Sequence, residues 1–129
     1  PYLRRRISVI GLTPNKDGLT SFLKSYRRCD LVLGMRFHAN VCPIGMGVPT
    51  RGLFNYPQVK YLYEEIEIAD HLIDVRNAGF GRQLFDNVIT DLTNISAERQ
   101  LFKETASQVR RQAVTTFASI NDWLCQQFN

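Results

Sequence analysis

The chain has 129 residues, 44% hydrophobic and 22% charged, with a formal charge of +4. That length suits one domain with a buried core and is short for two. The composition excludes a disordered or collagenous chain, no apolar run approaches the ~20 residues of a bilayer span, and the basic excess is too mild to argue for nucleic acid.

Three cysteines, Cys29, Cys42 and Cys125, are widely spaced. An odd count without CxxC spacing argues against a disulfide framework and against zinc, and a reduced, cytoplasmic setting is expected. Cys29 and Cys42 flank apolar runs and read as small core residues. At the start, Arg4, Arg5 and Arg6 precede an apolar run too short for a secretory signal and without a small-residue cleavage site. Ile7–Leu12 therefore reads as a buried strand, closed by Gly11 and Pro14. Thr13–Gly18 is expected to be a loop.

A helix over Leu19–Arg28 follows, with Phe22, Leu23 and Tyr26 at helical spacing. Leu31–Leu33 is a second strand. Phe37–Met46 is a tight helix of small residues, stopped by Gly47 and Pro49. Thr50–Phe54 is a third, short strand. Pro57 suits the first turn of the next helix, where its missing N–H costs nothing. That helix carries Val59, Leu62, Tyr63 and Ile66, and His71–Val75 is a fourth strand. From Gly81 the pattern is helical. Leu84, Val88 and Leu92 mark one helix, and a second runs Phe102, Ala106, Val109, Ala113, Phe117, Ile120, Leu124. Steps of four and three make one apolar stripe, expected to pack as core. It is also long enough to reach past its own sheet to a neighbour.

Strands alternating with helices imply right-handed crossovers and a parallel sheet. The expected fold is α/β: one domain over 1–129, with βα repeats in 1–80 and helices in 81–129. About four parallel strands resemble the second half of a doubly wound, partial Rossmann-like domain. The first strand then has a bare edge unless another segment or chain covers it, so a longer parent or a homo-oligomer is expected. The absence of an initiating Met points the same way.

In such a sheet, ligands bind beyond the carboxyl ends of the strands. Gly34 ends the second strand, and Arg36 and His38 follow at the start of a helix. A helix N-terminus favours negative charge, so an added cation and imidazole suggest an anionic substrate. A lone Arg at a strand end is also commonly a surface residue, and a lone His a satisfied core residue. Asn55, Tyr56 and Lys60 lie at the next strand-to-helix junction and are candidates for the same crevice. Arg76, Asn77 and Gly79 to Gly81 follow the fourth strand. GFGR lacks the glycine spacing of a dinucleotide site and reads as a loop. His71 and Asp30 read as structural. No His, Asp or Glu cluster at helical spacing suggests a metal, and none is expected.

Residues 29–62, CDLVLGMRFHANVCPIGMGVPTRGLFNYPQVKYL, resemble the C-terminal part of the polysaccharide pyruvyl transferase family. The resemblance lies in Asp30, the apolar Leu31 to Leu33, Gly34, Arg36-Phe37-His38, Gly47-Val48-Pro49 and Val59. It covers about residues 28–75. It implies a fold like the C-terminal half of a GT-B glycosyltransferase, with two Rossmann-like domains facing a cleft. It implies transfer of the enolpyruvyl unit of phosphoenolpyruvate to a sugar hydroxyl, forming a pyruvate ketal. Phosphoenolpyruvate is then the donor substrate, a sugar the acceptor, and no separate cofactor is needed. Arg36 and Phe37 would contact the donor and His38 would act in catalysis, with Asn55 and Lys60 as further substrate contacts. Two features depart from the family pattern. Asn55 and Gln58 stand where Tyr-x-x-Lys is usual, so Lys60 or Lys24 would have to supply the cation. The N-terminal domain that would form the other cleft wall is not in this sequence, so the chain alone is expected to be inactive. Two alternatives remain: a GT-B-like module that binds a nucleotide sugar, or a degenerate binding or assembly module.

Overall fold

The computed structural model describes residues 16–127. Helix α1 (Lys16–Tyr26) leads to strand β1 (Val32–Gly34), helix α2 (Phe37–Gly45), strand β2 (Thr50–Phe54) and helix α3 (Pro57–Glu65). A 3-10 turn (Ala69–His71) enters strand β3 (Leu72–Asp74), and helices α4 (Phe80–Thr93) and α5 (Ile95–Gln127) close the chain. The three strands form a parallel sheet in the order β1-β2-β3, with Gly52 of β2 aligned with Gly34 and Leu72. The expected strand over Ile7–Leu12 lies outside the described residues, so three of the four expected strands are seen. Of the expected loop over Thr13–Gly18, residues 16–18 belong instead to α1.

The core lies between the sheet and α2, α3 and the first turns of α5. Ile44, Val59, Tyr63, Ile68 and Phe102 form one buried cluster. The crossover from α2 to β2 needs an abrupt reversal, and Gly47 supplies it at φ +72°. There the Gly47 N–H reaches the Ile44 carbonyl and the Val48 N–H the Pro43 carbonyl, closing the helix end in the glycine-stop pattern. A side chain at Gly47 would also press on the Lys103 backbone, with its Cβ 3.3 Å from Lys103 Cα. Asn94 breaks the last two helices apart, accepting the N–H groups of Ala97 and Glu98 on its backbone carbonyl.

Several expectations are corrected. Cys29 is exposed and donates its thiol to the Ser25 carbonyl, so it is not a core residue; Cys42 is half-buried. The fourth expected strand is shorter, because Ala69–His71 turns as a 3-10 helix before it. The Gly79 to Gly81 segment is no simple loop: Gly79 caps α4, and the helix starts at Phe80. The apolar stripe of α5 is core only at its start. Phe102 is fully buried, whereas Phe117 is 72% and Trp123 58% exposed. At 33 residues α5 is about 50 Å long, and its distal half runs beyond the small sheet.

The far face of the sheet is joined to α4 by charge. Arg51 of β2 donates from Nε and Nη2 to both carboxylate oxygens of Asp91, each at 2.7 Å, and from Nη1 to the Asp70 carbonyl at 3.0 Å. Both side chains are buried. Beside them, buried His71 sits between Asp70 (3.0 Å) and Glu98 (2.8 Å) and meets the Phe102 ring edge-on. A buried pair with one member removed leaves an unpaired charge. Asp91→Ala is thus expected to cost about 3–5 kcal/mol in urea unfolding, whereas Arg51→Met with Asp91→Leu recovers most of it.

Candidate functional site

The turn between β1 and α2 is fixed by one buried amide. Asn40 donates from Nδ2 to the Gly34 carbonyl (3.1 Å) and to the Arg36 carbonyl (2.7 Å). Its Oδ1 accepts the Tyr63 hydroxyl at 2.8 Å. A Cβ at Gly34 would lie 2.5 Å from Asn40 Oδ1, so only glycine lets the strand end approach this helix. Burial pushes the Tyr63 phenol far above its ordinary range, so the hydroxyl keeps its proton and remains a donor.

Arg36 is thereby held at the N-cap of α2 in extended conformation, where its side chain does not cap the helix. Arg36 and His38 are both exposed, beyond the carboxyl end of β1. Among the described residues, neither the guanidinium nor the imidazole has a hydrogen-bond or ion partner. The His38 ring meets Phe37 edge-on at 5.7 Å. The Phe37 N–H, first of the helix, donates to Tyr56 Oη at 3.0 Å. Tyr56 thus ties the start of α3 to the start of α2 and brings the two junctions together. Asn55 is exposed between them. Lys60 is one turn into α3, 3.4 Å from Glu64, and its charge reaches Asp74 at the end of β3.

The third strand end carries a pair that sequence reading missed. Arg76 donates from Nε (2.8 Å) and Nη2 (2.6 Å) to the two oxygens of Asp74, and its backbone N–H adds a third bond at 2.9 Å. The guanidinium also lies over the Phe54 ring, 4.8 Å from its centre. These hydrogen bonds lower the Asp74 pKa to about 2 and raise that of Arg76. The residues at this edge therefore divide into paired charges that hold its shape and free ones that face outward. Arg36, with a planar fork and no partner, suits a carboxylate or phosphate.

A second grouping was also invisible to spacing. His71, Asp91 and Glu98 place ligand atoms within 4.8 Å of one another, from three different elements. Both Asp91 oxygens are held by Arg51, and both His71 nitrogens face carboxylates. A guanidinium in the middle fits an ion-pair cluster, not a cation site.

Two outcomes test this geometry. Removing the Asn40 side chain strips partners from three groups, so Asn40→Ala should lose about 2–3 kcal/mol in chemical unfolding; Tyr63→Phe should lose about 1 kcal/mol. Asp74 ordinarily titrates at 3.8 and here near 2. A lowered folded pKa gives stability that is present above the unfolded value and lost as pH falls through the folded one. Thermal melts should thus show a decline between about pH 4 and pH 2 that Asp74→Asn diminishes.

Residues 7–56 match the model of the polysaccharide pyruvyl transferase family, described as "Polysaccharide pyruvyl transferase". No curated protein and no solved structure matches the chain. The matched stretch contains β1, the Arg36-Phe37-His38 turn, α2 and β2, which include the first two sheet junctions. Over residues 7–56, about two fifths of its length, the chain is similar to the polysaccharide pyruvyl transferase family.

Proposed function

We propose that this chain is the donor-binding part of an enzyme that moves an enolpyruvyl unit from phosphoenolpyruvate to a sugar. The observation that carries the reading is the exposed, unpaired Arg36 and His38 at the N-terminus of α2, inside the family match. Phosphoenolpyruvate presents a carboxylate and a phosphate, and Arg36 would hold one of them by two parallel bonds. The amides of the first α2 turn add a favourable field for the same anion.

Ketal formation uses two sugar hydroxyls. The methylene carbon gains a proton and becomes methyl, and one hydroxyl oxygen bonds to the neighbouring carbon. The second hydroxyl then takes the place of the phosphate, which leaves with the remaining proton. His38 would move one of these protons, since an imidazole can both give and take one. Asn55 and Lys60 would line the same edge, with Phe37 walling the donor. A second, GT-B-like domain would supply the opposite wall and the sugar contacts.

The nucleotide-sugar alternative wants a free carboxylate at a strand end to hold a ribose. Asp74 is in that position, but Arg76 occupies both its oxygens. The anionic-donor reading is therefore preferred.

Thermal shift tests the choice. Phosphoenolpyruvate at 100 times its Kd should stabilise the chain by about 2.7 kcal/mol, and UDP-sugars should not. Arg36→Lys should abolish the shift while changing the ligand-free stability by no more than about 0.5 kcal/mol. His38→Ala should retain donor binding yet lose transfer in the complete enzyme. A shift with UDP-glucose alone would replace the reading with the glycosyltransferase one.

A further inference from the structure

We propose that the groove between the end of α1, the α2–β2 turn and α5 is a second binding site, for a linear acidic polysaccharide. Two adjoining depressions of about 360 and 370 Å³ share Arg27, Met46, Gly47 and Lys103, and so form one continuous groove. Its walls bring together four cations: Arg27 from the segment after α1, and Arg99, Lys103 and Arg110 from α5. Arg99 pairs with Asp30. Among the described residues, Arg27, Lys103 and Arg110 have no carboxylate partner. Glu104, on the far flank of Lys103, accepts a hydrogen bond from Gln100 and lines a neighbouring depression instead of this groove. Unneutralised like charges around a concavity focus a positive potential within it.

The groove is not the candidate donor site. Val48 and Pro49 line it at the entry to β2, whereas Arg36 lies beyond the exit of β1, at the opposite edge of the parallel sheet. Its shape selects a chain over a small anion. Along α5, Arg99, Lys103 and Arg110 are spaced at about 6 and 10 Å, a span of about 16 Å. A single phosphate touches only one or two of these positions, while a polymer with a carboxylate on each sugar follows all of them. None of the lining residues is aromatic. Single-stranded nucleic acid would want stacking platforms there, which favours the polysaccharide.

The choice of a polysaccharide rests on the proposed function. Each ketal leaves a new carboxylate on the polymer, so the groove would hold the part of the chain already modified while a fresh sugar enters the donor edge.

Immobilised polygalacturonate, a linear polymer with one carboxylate per sugar, serves as the probe, with neutral dextran and single-stranded DNA as comparisons. Binding is expected at about 0.05 M salt and should vanish near 0.5 M, where screening is short-ranged. Arg27→Gln with Lys103→Gln and Arg110→Gln, which keeps much of the side-chain stems, should weaken binding at least about tenfold. Lys103→Gln alone should weaken it about threefold, and Arg82→Gln on α4 should leave it unchanged. Circular dichroism confirms that each variant is folded. Unchanged binding by the folded triple variant, or tighter binding of DNA than of polygalacturonate, would overturn the proposal. Arg36→Lys separates the two readings: it should abolish phosphoenolpyruvate binding and leave polygalacturonate binding intact. A chain that binds the polymer through the groove but shows no donor binding would refute the proposed function alone.

Discussion

One buried amide, Asn40, governs where the chemistry-bearing residues stand. Its two N–H groups hold the carbonyls on either side of the β1–α2 turn, and its oxygen is held by Tyr63 from α3. An amide in that position has little freedom to choose another arrangement, because each buried polar atom left unpaired costs on the order of 1–3 kcal/mol. Strand end, helix start and the neighbouring helix are thereby joined. Arg36 and His38 need no bonds of their own to be positioned, which leaves their polar atoms available to a ligand.

Charge is handled differently on the two faces of the molecule. Inside, Arg51 with Asp91 and His71 with its flanking carboxylates fasten α4 and α5 to the sheet. At the carboxyl edge, Asp74 and Arg76 satisfy each other while Arg36 stays free. At the amino edge, the cations around Lys103 outnumber the carboxylates. A formal charge of +4 thus conceals a segregated surface, in which cations collect at two edges.

Much of the fold was legible from local rules. Gly47 with Pro49 ended α2, Pro57 opened α3, and the apolar runs marked the three described strands to within a residue or two. The carboxyl-edge position of Arg36 and His38 followed from the parallel order alone. What was not legible depends on residues distant in sequence. Arg51 and Asp91 are 40 positions apart, and nothing in either segment announces the pair. Nothing in the sequence reading singled out Asn40, although its spacing of four from Arg36 was a signal for a bond back to that carbonyl. The α5 stripe was expected to pack as core and also to reach past its own sheet; only its start is core, for a physical reason. Periodicity reports which face is apolar but not how far a partner extends, and the described strands end before the helix does.

The most direct measurement is a phosphoenolpyruvate titration of the ¹⁵N-labelled chain followed by NMR. The account predicts saturable shifts in the Arg36 Nε–H, in the backbone amides of Phe37, His38 and Ala39, and in the His38 ring, with the Asn40 side-chain amide moving little. Shifts confined to Arg27, Lys103 and Arg110, or none at saturating donor, would contradict it.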